Sequence, residues 1–105
     1  MRVRLSIPKA ASTGEVIEIR AVAAHPMEPG FRRDAMGKVI QRDIITEVRC
    51  TFNGAEIFRA DLFPAIAANP YLSFFTTAMQ SGEFEMQWLD QHGNRTAAKS
   101  QIVVT

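Results

Sequence analysis

A single cysteine means that no disulfide can form within the chain, and it leaves the redox compartment undecided. Histidine is nearly as scarce. His25 and His92 fall in different loops, and no spacing resembles a zinc site, which needs three or four close ligands. No sign of charge prevails: Lys and Arg total 12, Asp and Glu 11, for a formal net charge of +1. That balance gives no electrostatic argument for nucleic acid or for a membrane surface. No apolar run approaches the roughly 20 residues of a spanning helix. No signal pattern opens the chain, because Met1-Arg2-Val3-Arg4-Leu5 enters alternation at once. Repeats, low-complexity tracts and linkers are missing too, so the 105 residues read as one domain with a single modest core. Helix signals are poor. Only Leu62 to Asn69 has room for a turn or two, and Pro64 and Pro70 hem it in.

What the chain has is strand alternation with turn chemistry between the strands. Asn53-Gly54 separates two alternating runs, the strongest short hairpin signal, because a two-residue type I′ turn needs positive φ at both positions. The turn sets the register. It puts Val48, Cys50 and Phe52 on one face and Glu47, Arg49 and Thr51 on the other. Beyond it, Phe58, Ala60 and Leu62 alternate with Arg59 and Asp61. Val3, Leu5 and Ile7 mark a first strand stopped by Pro8, and Lys9 to Thr13 reads as a short polar turn. Ile17, Ile19, Ala21 and Ala23 form the inner face of the next strand, with Val16 and Val22 suggesting a partly covered outer face. Tyr71 to Met79 is another strand, Ser81-Gly82 a turn, and Phe84, Met86 and Trp88 the inner face of Glu83 to Leu89. Asp90 to Asn94 turns the chain into a last strand carrying Ile102 and Val104 inward. About seven such strands predict an all-β fold, an immunoglobulin-like antiparallel β-sandwich.

His25 to Arg42 differs in character. Proline and glycine punctuate it, Arg32, Arg33, Lys38 and Arg42 charge it, and Asp34 to Lys38 looks like a tight reversal. A loop this long in a small domain tends to be functional or disordered, with a small hairpin inside it as a third option. Its basic cluster reads either as a solvated loop or as a site for an anion or acidic partner.

Candidates for chemistry are few. Cys50 lies among core residues, where a free thiol behaves as a small hydrophobe; a reactive thiol would need exposure and an electropositive setting. Met27 beside His25 suggests a soft copper site, against which stands the plainer reading of the histidines as loop residues. Glu83 and Glu85 share a face as paired carboxylates or, more simply, as a solvated surface with nothing apolar to raise a pKa. No catalytic, cofactor or metal site emerges, which favours a binding or scaffolding module over an enzyme.

Several stretches together resemble the SoxZ family. They are His25-Pro26-Met27-Glu28-Pro29-Gly30 with the Arg-rich loop after it, Phe52-Asn53-Gly54, Ala60-Asp61-Leu62, Ala65 to Tyr71, and Trp88-Leu89-Asp90 with Gly93. The resemblance covers essentially the whole chain. One departure is Leu89, where a polar residue is expected. The resemblance implies an immunoglobulin-like sandwich that is a non-catalytic subunit of a thiosulfate-oxidising sulfur carrier. Its partner would be a SoxY-type subunit whose Gly-rich C-terminal arm carries sulfur on a cysteine; this chain ends in Ile-Val-Val-Thr, with no such arm. It further implies a periplasmic heterodimer co-exported with that partner, transient contacts with other Sox pathway enzymes, and no cofactor. The partner surface is expected on His25, Met27, Glu28, Phe31, Arg33 and Arg42, with Met27 and Phe31 as apolar anchors. Purified alone, the chain is expected to self-associate through that surface. The competing reading is a SoxZ-like accessory module of a periplasmic quinoprotein dehydrogenase.

Overall fold

Glycine or asparagine at positive φ marks most of the turns that separate the alternating runs. In the computed structural model, which describes residues 1–105, the chain forms eight strands and no helix. They are β1 (Arg2–Ser6), β2 (Ala10–Ala11), β3 (Val16–Ala24), β4 (Ile45–Phe52), β5 (Ala55–Asp61), β6 (Tyr71–Thr77), β7 (Gly82–Asp90) and β8 (Arg95–Val104). One sheet has the order β1-β3-β6 and the other β2-β8-β7-β4-β5. The inner faces enclose one core, in which Ile17, Ile19, Ala21 and Ala23 of β3 share a cluster with Val48, Cys50, Phe84, Met86 and Trp88 of the other sheet. Such a two-layer packing of alternating strands is the immunoglobulin-like sandwich expected from the pattern.

The β4–β5 turn has the expected form. Phe52 pairs with Ala55, and Asn53 and Gly54 take φ of 50° and 85°. The Asn53 side chain also accepts the Glu83 N–H at 2.9 Å, which ties this turn to the start of β7. Phe58 stacks on Phe74 at 4.5 Å between centroids and closes the side of the sandwich where β5 and β6 are the sheet edges.

Four local expectations need correction. Lys9 to Thr13 is not merely a turn, since Ala10–Ala11 pairs in parallel with Val103–Val104 and carries the chain from one sheet to the other. Thr51 keeps its outward place opposite Glu85 but is covered there rather than wet, at 5% exposure, beside the point where the β4–β5 register shifts. The stretch from Leu62 to Asn69 contains no helix, only a turn closed by Ile66 N–H on the Phe63 carbonyl. Gly82 opens β7 instead of turning the chain, and Asn53 lies against it so closely that a Cβ there would collide with the Asn53 side-chain amide.

The molecule is long for its size. It measures 59 × 20 × 19 Å with a radius of gyration of 16.2 Å, against roughly 13 Å for a compact domain of about 100 residues. The excursion between β3 and β4 accounts for much of the length. It leaves the body at Glu28 and returns at Asp43, which exchange both backbone hydrogen bonds at 2.8 and 2.9 Å. Limbs of about seven residues at about 3.3 Å each reach on the order of 20 Å.

Candidate partner-docking end

The excursion is a hairpin arm held by local bonds. Arg33 bridges Val39, and the Asp34 carboxylate accepts N–H bonds from Met36 at 2.8 Å and Lys38 at 3.0 Å, closing the tip. Gly30 sits at φ 91°, where an added Cβ would stand 3.1 Å from that of Arg42, so the limbs approach closely only because glycine is there. At the root, the Arg42 guanidinium donates to Gln91 Oε1 at 3.0 Å, and Gln91 Nε2 donates back to the Arg42 carbonyl at 2.9 Å. The backbone of the arm is thus ordered, while almost none of its side chains packs on the sandwich.

The six residues expected to meet a partner divide between root and arm. His25 and Met27 are buried in the chain's own fold, at 8% and 3% exposure. Met27 adopts φ 49°; its N–H donates to His25 Nδ1 at 2.9 Å and its Sδ accepts the Ile45 N–H at 3.2 Å. Glu28 is half-buried and paired with Arg32, whose hydrogen bonds hold its carboxyl below the usual range. Phe31 lies 83% exposed, and Arg33 and Arg42 are exposed beside it on the arm. Of the two apolar anchors read from the sequence, only Phe31 presents its side chain outward.

Other apolar side chains crowd the same end. Met36 at the arm tip is 87% exposed and Val39 is exposed on the returning limb. The 62–70 loop is fastened here by Leu62 N–H to the Thr46 carbonyl, Asn69 N–H to the His25 carbonyl, and His25 N–H to Asn69 Oδ1. That loop leaves Phe63 and Ile66 exposed. Sequence reading missed these residues, although an apolar Met36 in the middle of an Asp-to-Lys reversal was the available signal.

The root also gathers both histidines. His25 Nε2 and His92 Nε2 each lie 3.4 Å from Asp43 Oδ1. The Met27 N–H occupies His25 Nδ1, so the proton of the neutral ring belongs on Nε2, the atom facing Asp43. A ring fixed in that tautomer has no free nitrogen lone pair to offer a metal, and the Met27 sulfur is engaged by the backbone. The group therefore works as a structural clasp between the arm root and the β7–β8 turn. In that turn partial burial would raise the Asp90 carboxyl, but N–H groups of Asn94 and His92 outweigh it and hold it below its usual range. Cys50 is fully buried, and burial pushes its thiol up to about 11. Glu83 and Glu85 are half-buried on the outer face of β7, with Lys99 3.7 Å from Glu85.

A family model described as "Sulphur oxidation protein SoxZ" matches residues 3–101. No curated protein is significantly similar in sequence. Among solved structures, a superoxide reductase (neelaredoxin) from Ignicoccus hospitalis aligns with TM-score 0.75 at 17% identity, covering 100% of this chain and 81% of that one. A putative superoxide reductase from Thermotoga maritima gives 0.76 at 13%, covering 98% and 85%. The sulfur carrier protein SoxY from Chlorobium limicola f thiosulfatophilum gives 0.71 at 13%, covering 98% and 78%. At such identities these likenesses speak for a shared fold.

Proposed function

The chain belongs to the SoxZ family of sulphur oxidation proteins, and from that premise we propose that it is the non-catalytic subunit of a sulfur-carrier pair. Its partner is a SoxY-type subunit that holds sulfur intermediates on a C-terminal cysteine, and the two form a heterodimer in the periplasm. This chain contributes a rigid sandwich and an arm against which the carrier subunit docks.

One observation carries the reading. Phe31, Met36 and Val39 stand exposed on an arm whose backbone is ordered by its own hydrogen bonds. Large apolar groups held in water on a fixed scaffold suit an interface core, and Arg33 and Arg42 suit its charged rim. Phe63 and Ile66 add exposed apolar surface on the loop fastened beside the arm's root, and a stable pair buries roughly 1,200–2,000 Å² in all. The buried, neutral Cys50 fits a subunit that leaves sulfur chemistry to its partner.

Titrating the chain with a SoxY-type subunit tests this. Phe31→Ala with Met36→Ala is expected to weaken binding about tenfold or more, as loss of interface anchors does. Unchanged affinity would remove the arm from the interface. Met27 is unsuited to this test, because its truncation acts first on folding. Sedimentation of the isolated chain addresses self-association through the same end: the reading expects dimers at high concentration that the double variant abolishes.

A further inference from the structure

The outer faces of the two sheets treat charge differently. On the five-stranded sheet, Arg59 pairs with Glu47 at 3.3 Å and Glu56 at 2.8 Å, Arg49 with Glu56 at 3.7 Å, and Lys99 with Glu85 at 3.7 Å. On the three-stranded sheet, Arg20 pairs with Glu18 at 2.6 Å, but Arg2 and Arg4 hold no carboxylate at all. They lie on the outward face of β1, with Val3 and Leu5 turned toward the core. The register sets Arg2 beside Ala24 and Arg4 beside Val22, and Val22 beside Tyr71 on β6. Tyr71 is 61% exposed. The result is an open depression lined by Arg2, Arg4, Val22, Ala24 and Asn69. Cations form one wall and Val22 and Ala24 the floor, and Tyr71, paired with Val22 on β6, stands exposed beyond the lining.

We propose that this trough is a second docking surface, one that receives an extended acidic segment of a partner protein. The match is one of spacing. Arg2 and Arg4 are two residues apart on a strand, so their Cα atoms stand about 6.6–6.8 Å from each other. Carboxylates at positions i and i+2 of an extended segment have the same spacing and project to the same side. The floor of Val22 and Ala24 lets a backbone approach, and exposed Tyr71 on the adjoining strand offers apolar contact to a segment that runs on across the sheet. Two cations on a nearly neutral protein are too few for a nucleic-acid track, which follows many phosphates along a basic stripe. The trough lies on the sheet face rather than on the arm, and its assignment does not rest on the pairing with a SoxY-type subunit.

The test uses the full chain and two capped octapeptides of Thr carrying two Glu each, at i and i+2 in one and at i and i+1 in the other. Amide chemical shifts are followed by NMR. The expected outcome is saturable shifts at Arg2 to Arg4, Val22 to Ala24 and Tyr71, with the i, i+2 peptide bound about three- to fivefold more tightly, as one additional exposed ion pair allows. Arg2→Gln with Arg4→Gln should abolish the preference while leaving the spectrum of a folded protein, and 0.5 M salt should weaken it. Equal affinity for both peptides, or shifts centred on Arg32, Arg33 and Lys38, would overturn the proposal and leave the β1 arginines as guards of an edge strand. Tighter binding of an eight-nucleotide oligo-dT at the same residues would overturn it in favour of nucleic acid.

Discussion

Met27 sits at φ 49° with its side chain buried and its sulfur under the Ile45 N–H. Left-handed backbone costs an L-residue roughly 1–2 kcal/mol, and packing offsets that here. Met27→Ala should therefore destabilise the fold by about 2–4 kcal/mol, as for other buried truncations. Met27→Gly loses one more carbon but escapes the left-handed penalty, so thermal melts should find it no worse than the alanine variant. Glycine clearly below alanine would contradict that account. Nothing in His-Pro-Met-Glu announces this conformation; it arises where Asn69, His25 and Ile45 meet, residues distant in the chain. Cys50 was legible, because its alternation with Val48 and Phe52 already placed it inward. With its thiol raised from 9.0 to about 11 by burial, labelling at pH 8 should run at least ~100-fold slower than for a free cysteine on thiolate fraction alone. The linkage has a definite sign. The neutral thiol favours the folded state fully below pH 9, the unfolded chain ionises first above it, and stability declines between about pH 9 and 11. Denaturant melts of the wild type should show this decline, and Cys50→Ala, though less stable overall, should lose that part of the pH dependence.

At the scale of elements, strands with one wet face could be read directly, since alternation and Asn53-Gly54 carry their own register. Strand β2 could not. It is two alanines long, shows no periodicity, and exists only because the backbone of β8 lies alongside it. The burial of Thr51 on the outer face escaped for a related reason, because the register shift beside it is a property of the pair of strands and not of either sequence. The arm was legible as an unusual segment with a reversal at Asp34 to Lys38, and its hairpin form follows from the Asp34 carboxylate capping that reversal. Because its side chains make few contacts with the sandwich, the arm should be dispensable for folding. Replacing residues 30–41 by a short Gly-Asn turn should shift the melting temperature by only a few degrees while abolishing binding of the SoxY-type subunit. A collapse of the fold on excision would make the arm part of the core structure instead.

The whole molecule is a sandwich with an unequal distribution of surface. One end gathers exposed Phe31, Met36, Val39, Phe63 and Ile66, one sheet face is a lattice of ion pairs, and the other carries unpaired Arg2 and Arg4. Composition alone was blind to this, because a net charge of +1 averages over both faces. Family membership rests on residues 3–101, and SoxY of Chlorobium limicola f thiosulfatophilum shares the fold. The most direct measurement is native mass spectrometry of this chain co-expressed with a SoxY-type subunit and incubated with thiosulfate, Sox loading enzymes and an electron acceptor. The expected result is a one-to-one heterodimer with sulfur mass added to the partner chain alone. A chain that stays folded and unpaired, or sulfur mass on this chain at Cys50, would contradict the proposal that it is the non-catalytic subunit.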